Sequence, residues 1–301
     1  MSDSPDEIGA GAPPPGNAHN QQGRGISDDQ NPHRDPEPVE QTLHGSGFLH
    51  KREFDIARWL LQVRLAISFL TILPVGPAKA SAAADVAASF GWFPLVGFGL
   101  GLTLCAMDRV LAPLLSRSLR AVLVVLALTV VTGALHLDGI ADTADALGAG
   151  RDRERALEIL HDSRIGSFGS IALFFVLALK VLAIAGTGGS QRYATLYMAP
   201  GLSRWAMVAL VSGLDYLRPE GVGAKLLSRD RRRNLRVATV TAVIALAPLV
   251  TLHSLRACLI AAAVTLALRA LYRRWLGGVT GDLIGAAGEL VETAVLIALA
   301  C

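Results

Sequence analysis

The sequence predicts an all-α fold: a polytopic transmembrane helical bundle of about seven spans, preceded by an N-terminal interfacial or re-entrant helix. The 301 residues are 52% hydrophobic and only 18% charged, and the mean hydropathy is +0.45. Long runs without charge recur along the chain, and several approach the roughly 20 residues that a helix needs to cross a bilayer. Alanine, leucine, valine and glycine dominate these runs, as is typical of packed membrane helices.

The first fifty residues differ in composition from the rest of the chain. Residues 1–50 hold eight acids and two bases, and they are rich in Pro, Gly, Asn, Gln and Asp without apolar periodicity. Such a composition predicts a disordered N-terminal extension, and the pattern of a cleavable signal peptide does not occur in it. Residues 51–301 carry 26 bases and 17 acids and are predicted to form one membrane-embedded domain.

The predicted spans follow one another with short polar links. Residues 54–75 are amphipathic with an apolar run too short to span, which favours an interfacial or re-entrant helix. Gly97, Gly99 and Gly101 are expected to allow close helix contacts in the first span. The spans are predicted at about residues 90–107, 121–135, 168–185, 193–214, 237–252 and 257–268, with a last span that begins at about residue 282.

A first acidic stripe follows the second span. Asp138, Asp142 and Asp145 are spaced i, i+4 and i+7, so they share one face of a helix. Three anions on one face repel each other where little water screens them, and a divalent metal held by oxygen ligands would relieve that repulsion. Mg²⁺ or Mn²⁺ is the predicted metal. The alternative is a solvated acidic helix end just outside the membrane.

Two more groups of polar residues lie between this stripe and the last span. The loop of residues 161–169 precedes an apolar run, and the backbone N–H groups near Gly166 and Gly169 are expected to be free at the helix start. Free N–H groups there would seat a phosphate, to which Arg164 could add a bidentate contact. Arg204 lies inside a predicted span and indicates a functional site, with an Arg paired to a structural acid as the alternative.

A second acidic stripe opens the last span. Asp282, Gly285, Glu289 and Glu292 are at i, i+3, i+7 and i+10 and share one helical face. Each acid costs ~2.5 kcal/mol or more near the bilayer centre, so this face must point into the bundle. We therefore expect the two acidic stripes to line one pocket in which the glycines leave room for substrate. Leu283, off that face, is expected to matter little.

The charge distribution favours one orientation in the membrane. If the polar groups share the cytoplasmic side, the basic loop of residues 215–236 and Arg273–Arg274 are cytoplasmic too, as the positive-inside rule requires. Arg109, Arg117 and Arg120 then lie outside and count against this orientation. Topology and lipid contact explain the basic loop, so no nucleic-acid binding is predicted.

Four motifs occur in a fixed order: His136-Leu-Asp-Gly-x-Ala-Asp-Thr-x-Asp145, Asp162-Ser-Arg-Ile-Gly166, Ser203-Arg204, and Gly277-Gly-x-Thr-Gly-Asp282 with Glu289. In this order they resemble the cobalamin synthase family, the adenosylcobinamide-GDP ribazoletransferases. Ser68–Pro74 and Phe93–Gly97 are similar to early motifs of that family. The resemblance covers about residues 55–300. One departure is Ala146, where the family often has Gly.

The resemblance implies a transferase reaction in the last steps of nucleotide-loop assembly. A ribose hydroxyl of α-ribazole, or of its 5′-phosphate, attacks the cobinamide-bound phosphorus of adenosylcobinamide-GDP. GMP leaves, and adenosylcobalamin or its 5′-phosphate is formed. Pyrophosphate cleavage needs a metal and cations that absorb developing charge, and a carboxylate can accept the hydroxyl proton.

Roles follow for the residues that match these motifs. Asp138, Asp142 and Asp145 are expected to hold Mg²⁺ or Mn²⁺ and to be catalytic, and Arg164 is expected to act on the phosphates. The expected substrate-binding residues are His136, Asp162, Ser163, Arg204, Asp282 and Glu289. The expected location is the bacterial cytoplasmic (inner) membrane, with the active face cytoplasmic. The expected partners are the two substrates and membrane lipid, without nucleic acid, and an oligomer is left open.

Two other functional classes are alternatives. A lipid-making CDP-alcohol phosphotransferase uses related chemistry, but its acidic signature is D-x-x-D-G-x-x-A-R. Here Gly139 follows Asp138 directly, and no Arg follows Asp142. A transporter would also bury acids and arginines in a helical bundle. Release of GMP from adenosylcobinamide-GDP separates all three classes.

Overall fold

The structure, a computed structural model, describes residues 56–75, 83–150, 152–162, 164–217 and 230–300. The predicted extension and Ser163 therefore lie outside the described residues. The predicted all-helical fold is confirmed for the described part of the chain. Its helices are α1 (Ile56–Leu70), α2 (Ala83–Ser89), α3 (Phe93–Leu111), α4 (Arg117–Val131), α5 (Leu135–Gly148), α6 (Arg153–Ile159), α7 (Ser167–Gly186), α8 (Gly189–Val211), α9 (Arg231–Leu246), α10 (Leu252–Trp275) and α11 (Gly281–Ala300).

The prediction of about seven spans is confirmed only in part. Among the described residues, four helical segments are long and apolar enough to cross a membrane: Ala84–Leu111, α7, α10 and α11. A fifth is obtained if α4 and α5, which are bent by 90°, form one broken span. Helices also occupy the other predicted positions, but α9 has only 16 residues and α8 carries Arg192 and Arg204.

Helix α1 is too short to span and is amphipathic, as predicted for an interfacial helix. Its 15 residues bury one face that includes Leu65, Ala66 and Leu70. Trp59 and Leu60 on the other side are exposed. An exposed apolar face of this kind suits a helix that lies at the membrane interface.

Glycines set the closest approach between α3 and α8. A Cβ atom at Gly97 would lie 2.4 Å from the carbonyl oxygen of Pro200, and one at Gly101 would lie 2.6 Å from that of Tyr197. No larger residue fits at these two positions unless the helices separate. At Gly99 a Cβ would meet no atom within 4 Å. The predicted role is thus supported for Gly97 and Gly101 and is wrong for Gly99.

The first acidic stripe does not continue the helix that precedes it. Gly133 and Ala134 adopt left-handed conformations, with φ of 61° and 56°, and α5 leaves at 90° to α4. A left-handed conformation costs a non-glycine residue roughly 1–2 kcal/mol, so the surrounding packing must enforce it at Ala134. The stripe therefore lies on a separate helix that runs across the end of α4.

Helix α11 is the central element of the bundle, because α5, α7, α8 and α10 all pack against it. At its start, Leu217 N–H donates to the Val279 carbonyl (2.9 Å) and Val279 N–H donates to that of Asp215 (2.8 Å). Near its finish, Gln191 Nε2 donates to the Leu299 carbonyl (2.7 Å). The start of α11 and the end of α8 therefore lie together. We call this the acidic end and the other the opposite end.

Candidate active site

The two acidic stripes meet at the acidic end through backbone contacts. A Cβ atom at Gly139 of α5 would lie 2.5 Å from the carbonyl oxygen of Asp282. A Cβ at Gly285 would lie 3.3 Å from the Cα of His136, which is itself buried. The stripes are adjacent, as expected, but these glycines let two helices touch. The expectation that Gly285 leaves room for substrate is therefore wrong.

Solvent access differs among the carboxylates at this end. Asp138 is exposed, whereas Asp142 and Asp282 are half-buried. Within the described residues, no three His, Cys, Asp or Glu side chains are grouped so as to hold a metal ion. Mg²⁺ is often held by one or two carboxylates together with substrate phosphates and water. The accessible carboxylates Asp138 and Asp142 fit that type of site.

Asp145 differs from the rest of its stripe because its carboxylate caps α7. One carboxylate oxygen accepts from Gly166 N–H (2.7 Å) and the other from Gly169 N–H (2.9 Å). A Cβ at either glycine would lie 2.4 Å from a carboxylate oxygen of Asp145, so both positions require glycine. Negative charge at a helix start interacts favourably with the helix dipole. The predicted phosphate seat of free N–H groups is therefore wrong, because Asp145 already occupies it.

We expect Asp145→Asn to destabilise the start of α7. An amide has a single acceptor oxygen, and its NH₂ group would face a backbone N–H, so one donor loses its partner at a cost of about 1–3 kcal/mol. Thermal unfolding and hydrogen exchange of residues 166–170 measure this effect. Asp138→Asn is the matched control, since Asp138 is exposed, and it should change stability by no more than about 0.5 kcal/mol. Equal melting temperatures for the two variants would contradict the capping role.

Arg164 and Asp162 form an exposed ion pair in the loop before α7. Arg164 Nε and Nη2 donate to the Asp162 carboxylate at 3.0 and 2.7 Å. The side-chain hydrogen bond from Arg164 lowers the pKa of Asp162 below its ordinary value. The Arg164 side chain is 88% exposed. It is thus well placed to meet an anionic ligand that approaches from solvent.

A buried charge network lies deeper in the bundle, behind the two stripes. Lys180 of α7 donates to Glu289 and to Glu292 (2.7 Å) of α11, and Arg204 of α8 donates to Glu292. These four side chains are at most 5% exposed. Two cations balance two anions, as burial in a medium of low dielectric requires. Arg204 and Glu289, expected to bind substrate, are thus found in internal ion pairs, which matches the alternative of an Arg paired with a structural acid.

Lys180 is a buried charged residue that the sequence motifs did not indicate. It lies in α7, a 20-residue helix that is otherwise apolar and is long enough to cross a membrane. A lone lysine in such a helix is the signal that could have revealed it, because a charge inside a membrane needs an internal partner. The two glutamates of the second acidic stripe are those partners.

Leu283 follows Asp282 near the start of α11 and has no exposed surface. Because Leu283 is buried, Leu283→Ala would leave a cavity, and its expected small effect on substrate use stays a prediction. Leu283 lies off the acidic face, and it is buried there because α5, α7, α8 and α10 pack around α11.

Similarity to known proteins over most of the chain decides the family. The family model described as cobalamin-5-phosphate synthase matches residues 62–300. The chain belongs to this family. The resemblance seen in the motifs is thereby confirmed, and the match begins after the predicted extension. No solved structure matches the chain.

Several relatives of the cobalamin-5-phosphate synthase family are named adenosylcobinamide-GDP ribazoletransferase. The protein from Syntrophobacter fumaroxidans is 40% identical over 239 residues, which cover 78% of this chain and 96% of the relative. The one from Pseudomonas syringae pv. syringae is 39% identical over 247 residues, 80% of this chain and 99% of the relative. The one from Geotalea daltonii is 35% identical over 235 residues, 78% of this chain and 95% of the relative.

Proposed function

We propose that the protein is an adenosylcobinamide-GDP ribazoletransferase. It joins α-ribazole, or α-ribazole 5′-phosphate, to adenosylcobinamide-GDP, releases GMP and forms adenosylcobalamin or its 5′-phosphate. The observation that carries this proposal is the family match over residues 62–300, together with relatives of that name that align over nearly their full length.

The accessible acids at the acidic end are the proposed reacting groups. Asp138 and Asp142 would hold Mg²⁺ or Mn²⁺, with Asp282 beside them across the contact between α5 and α11. When bound, the metal neutralises charge on the pyrophosphate oxygens. Asp145 acts indirectly in this scheme, because its cap fixes the loop that carries Arg164.

Proton transfer and stabilisation of the phosphate charge are assigned to two solvent-accessible groups. The exposed Asp138 carboxylate accepts the proton of the attacking ribose hydroxyl as a general base. Arg164 donates hydrogen bonds to the phosphate oxygens of the substrate. Asp162 holds the Arg164 guanidinium before substrate binds.

We place the acidic end on the cytoplasmic side of the bacterial inner membrane. Arg231 at the start of α9 contacts Asp215 (3.1 Å), and Arg273 near the end of α10 donates to the Gly213 carbonyl (3.2 Å). Both arginines therefore lie at the acidic end, together with Arg232 and Arg233. A concentration of arginines at one end supports a cytoplasmic position for it under the positive-inside rule.

The test is turnover by the purified protein in detergent. GMP release from adenosylcobinamide-GDP is measured with α-ribazole and with its 5′-phosphate, and we expect release that needs Mg²⁺ or Mn²⁺ and stops in excess EDTA. Asp142→Asn should lower turnover on the order of 100-fold or more while the protein still folds. Asp215→Asn is the control, because Asp215 is an exposed acid at the same end outside both stripes.

Three outcomes would count against the proposal. Turnover of a CDP-alcohol without GMP release would indicate the lipid enzyme, and uptake of substrate into vesicles that contain the protein, without turnover, would indicate a carrier. Full activity in EDTA, or of a folded Asp142→Asn variant, would refute the metal role of the first acidic stripe.

A further inference from the structure

A groove opens at the opposite end of the bundle, away from the candidate active site. Helices α3 and α8 touch at Gly97 and Gly101 and border an open groove of about 650 Å³ farther along. The turn after α9, with Pro248 and Leu249, closes its third side. This volume lies within the roughly 300–1,000 Å³ of small-molecule sites. Because α8 has 23 residues and rises about 35 Å, the groove and the acidic end are on different sides of the bundle.

The interior of the groove is mostly apolar, although Ser190 and Tyr193 also line it, and its α3 wall lies within a membrane span. Leu102 and Ala106 of α3 and Ala194 of α8 line it, and the α3 residues belong to the span Ala84–Leu111. The polar atoms of two further lining residues already have internal partners. Tyr197 Oη donates to the Ala245 carbonyl (3.1 Å), and Cys105 Sγ donates to a backbone carbonyl of α8 (3.2 Å). An apolar chain therefore suits the interior.

Arg109 places a positive charge on this groove. It is exposed and lies in the last turn of α3, and its guanidinium makes no hydrogen bond or ion pair with any residue that the structure describes. The neighbouring acid, Asp108, is buried and already accepts from Arg192 (2.7 and 3.0 Å) and from Arg120 (2.7 Å). Since Asp108 is shared by two arginines, the surroundings of Arg109 are positive overall.

We propose that this groove binds one anionic phospholipid, with an acyl chain between α3 and α8 and the phosphate on Arg109. An arginine near an anionic headgroup contributes roughly a fivefold preference. Under the positive-inside rule, the end of the bundle on the outer side of the membrane should carry few arginines. A bound anionic lipid explains why Arg109 is tolerated there. Asp108 is shared by Arg120 and Arg192, and Arg109 is neutralised by lipid.

Native mass spectrometry of the full-length protein in detergent tests the proposal. The protein is offered equal amounts of phosphatidylglycerol and phosphatidylcholine, and we expect one retained lipid with a roughly fivefold preference for phosphatidylglycerol. Arg109→Gln should abolish that preference and keep some lipid bound. Ala106→Trp fills the groove and should remove retained lipid of both classes. Ala194→Trp fills it from the other wall if the first variant does not fold.

Two control variants keep the test specific to the groove. Arg117→Gln removes another exposed arginine from the same end, outside the groove, and Val110→Trp places a tryptophan at an exposed position of α3 beside the groove. Both should retain lipid as the unchanged protein does. Equal retention of the two lipids by the unchanged protein would overturn the proposal. So would losses in the controls as large as those in the groove variants.

Discussion

Lys180→Met is expected to be among the most destabilising single substitutions in this protein. It would leave Glu289 and Glu292 inside the bundle with Arg204 as their remaining cation, and so one buried negative charge would be unbalanced. Removing one partner of a buried ion pair costs about 3–5 kcal/mol. Thermal unfolding in detergent and the fraction of folded protein in size-exclusion chromatography measure the loss.

A compensating change separates charge balance from simple packing. The double variant Lys180→Met with Glu289→Gln retains the pair of Arg204 with Glu292 and has no net charge in the network. We expect it to recover more than half of the lost stability, because neutral replacement of a buried pair is often tolerated. A double variant no more stable than Lys180→Met alone would contradict the charge argument.

An exposed ion pair supplies the matched control. Arg155→Met removes the partner of Glu158 in a pair whose side chains are about two-thirds exposed. Surface pairs contribute only about 0–1 kcal/mol, so this variant should unfold near the temperature of the unchanged protein.

Gly139→Ala is expected to have the second large effect, on turnover. The added Cβ would lie 2.5 Å from the backbone carbonyl oxygen of Asp282, and a backbone atom cannot give way without moving α11 from α5. The two acidic stripes would then shift relative to one another. A displacement of about 1 Å in a catalytic arrangement can cost on the order of 100-fold in rate, which GMP release per folded molecule measures.

The control for Gly139→Ala is Gly99→Ala, another glycine to alanine change inside a helix. A Cβ at Gly99 meets no atom within 4 Å, so this variant should keep its turnover. It should gain about 0.5–1 kcal/mol, because alanine favours a helix more than glycine does. Unchanged turnover in a folded Gly139→Ala variant would show that the contact between α5 and α11 does not position the site.

The fold class could be predicted because it depends on composition, which every part of the membrane domain shares. The bend before α5 could not be predicted from the sequence. Thr132, Gly133 and Ala134 permit a break in the helix but do not specify its direction. The 90° angle follows from packing. In the same way, a count of spans from hydropathy depends on segment length, and 15-residue α4 falls short of the length that such a count assumes.

The candidate site was predictable as a motif but only partly as an arrangement. The spacing of Asp138, Asp142 and Asp145 suggested three equivalent ligands, yet the carboxylate of Asp145 pairs with N–H groups 21 and 24 residues away. Such contacts depend on tertiary structure, so they cannot be predicted from helical periodicity. The same holds for Glu289, whose cation Lys180 is 109 residues earlier in the chain.

The long separation within the charge network also has a consequence for the order of assembly. Lys180 and Arg204 are synthesised before the two glutamates of α11 that neutralise them. During translation, α7 and α8 therefore carry uncompensated cations, which disfavours their burial in lipid. The bundle can close around its centre only after α11 has been made and inserted. The pairing of these charges thus makes insertion of α11 the final step in forming the membrane domain.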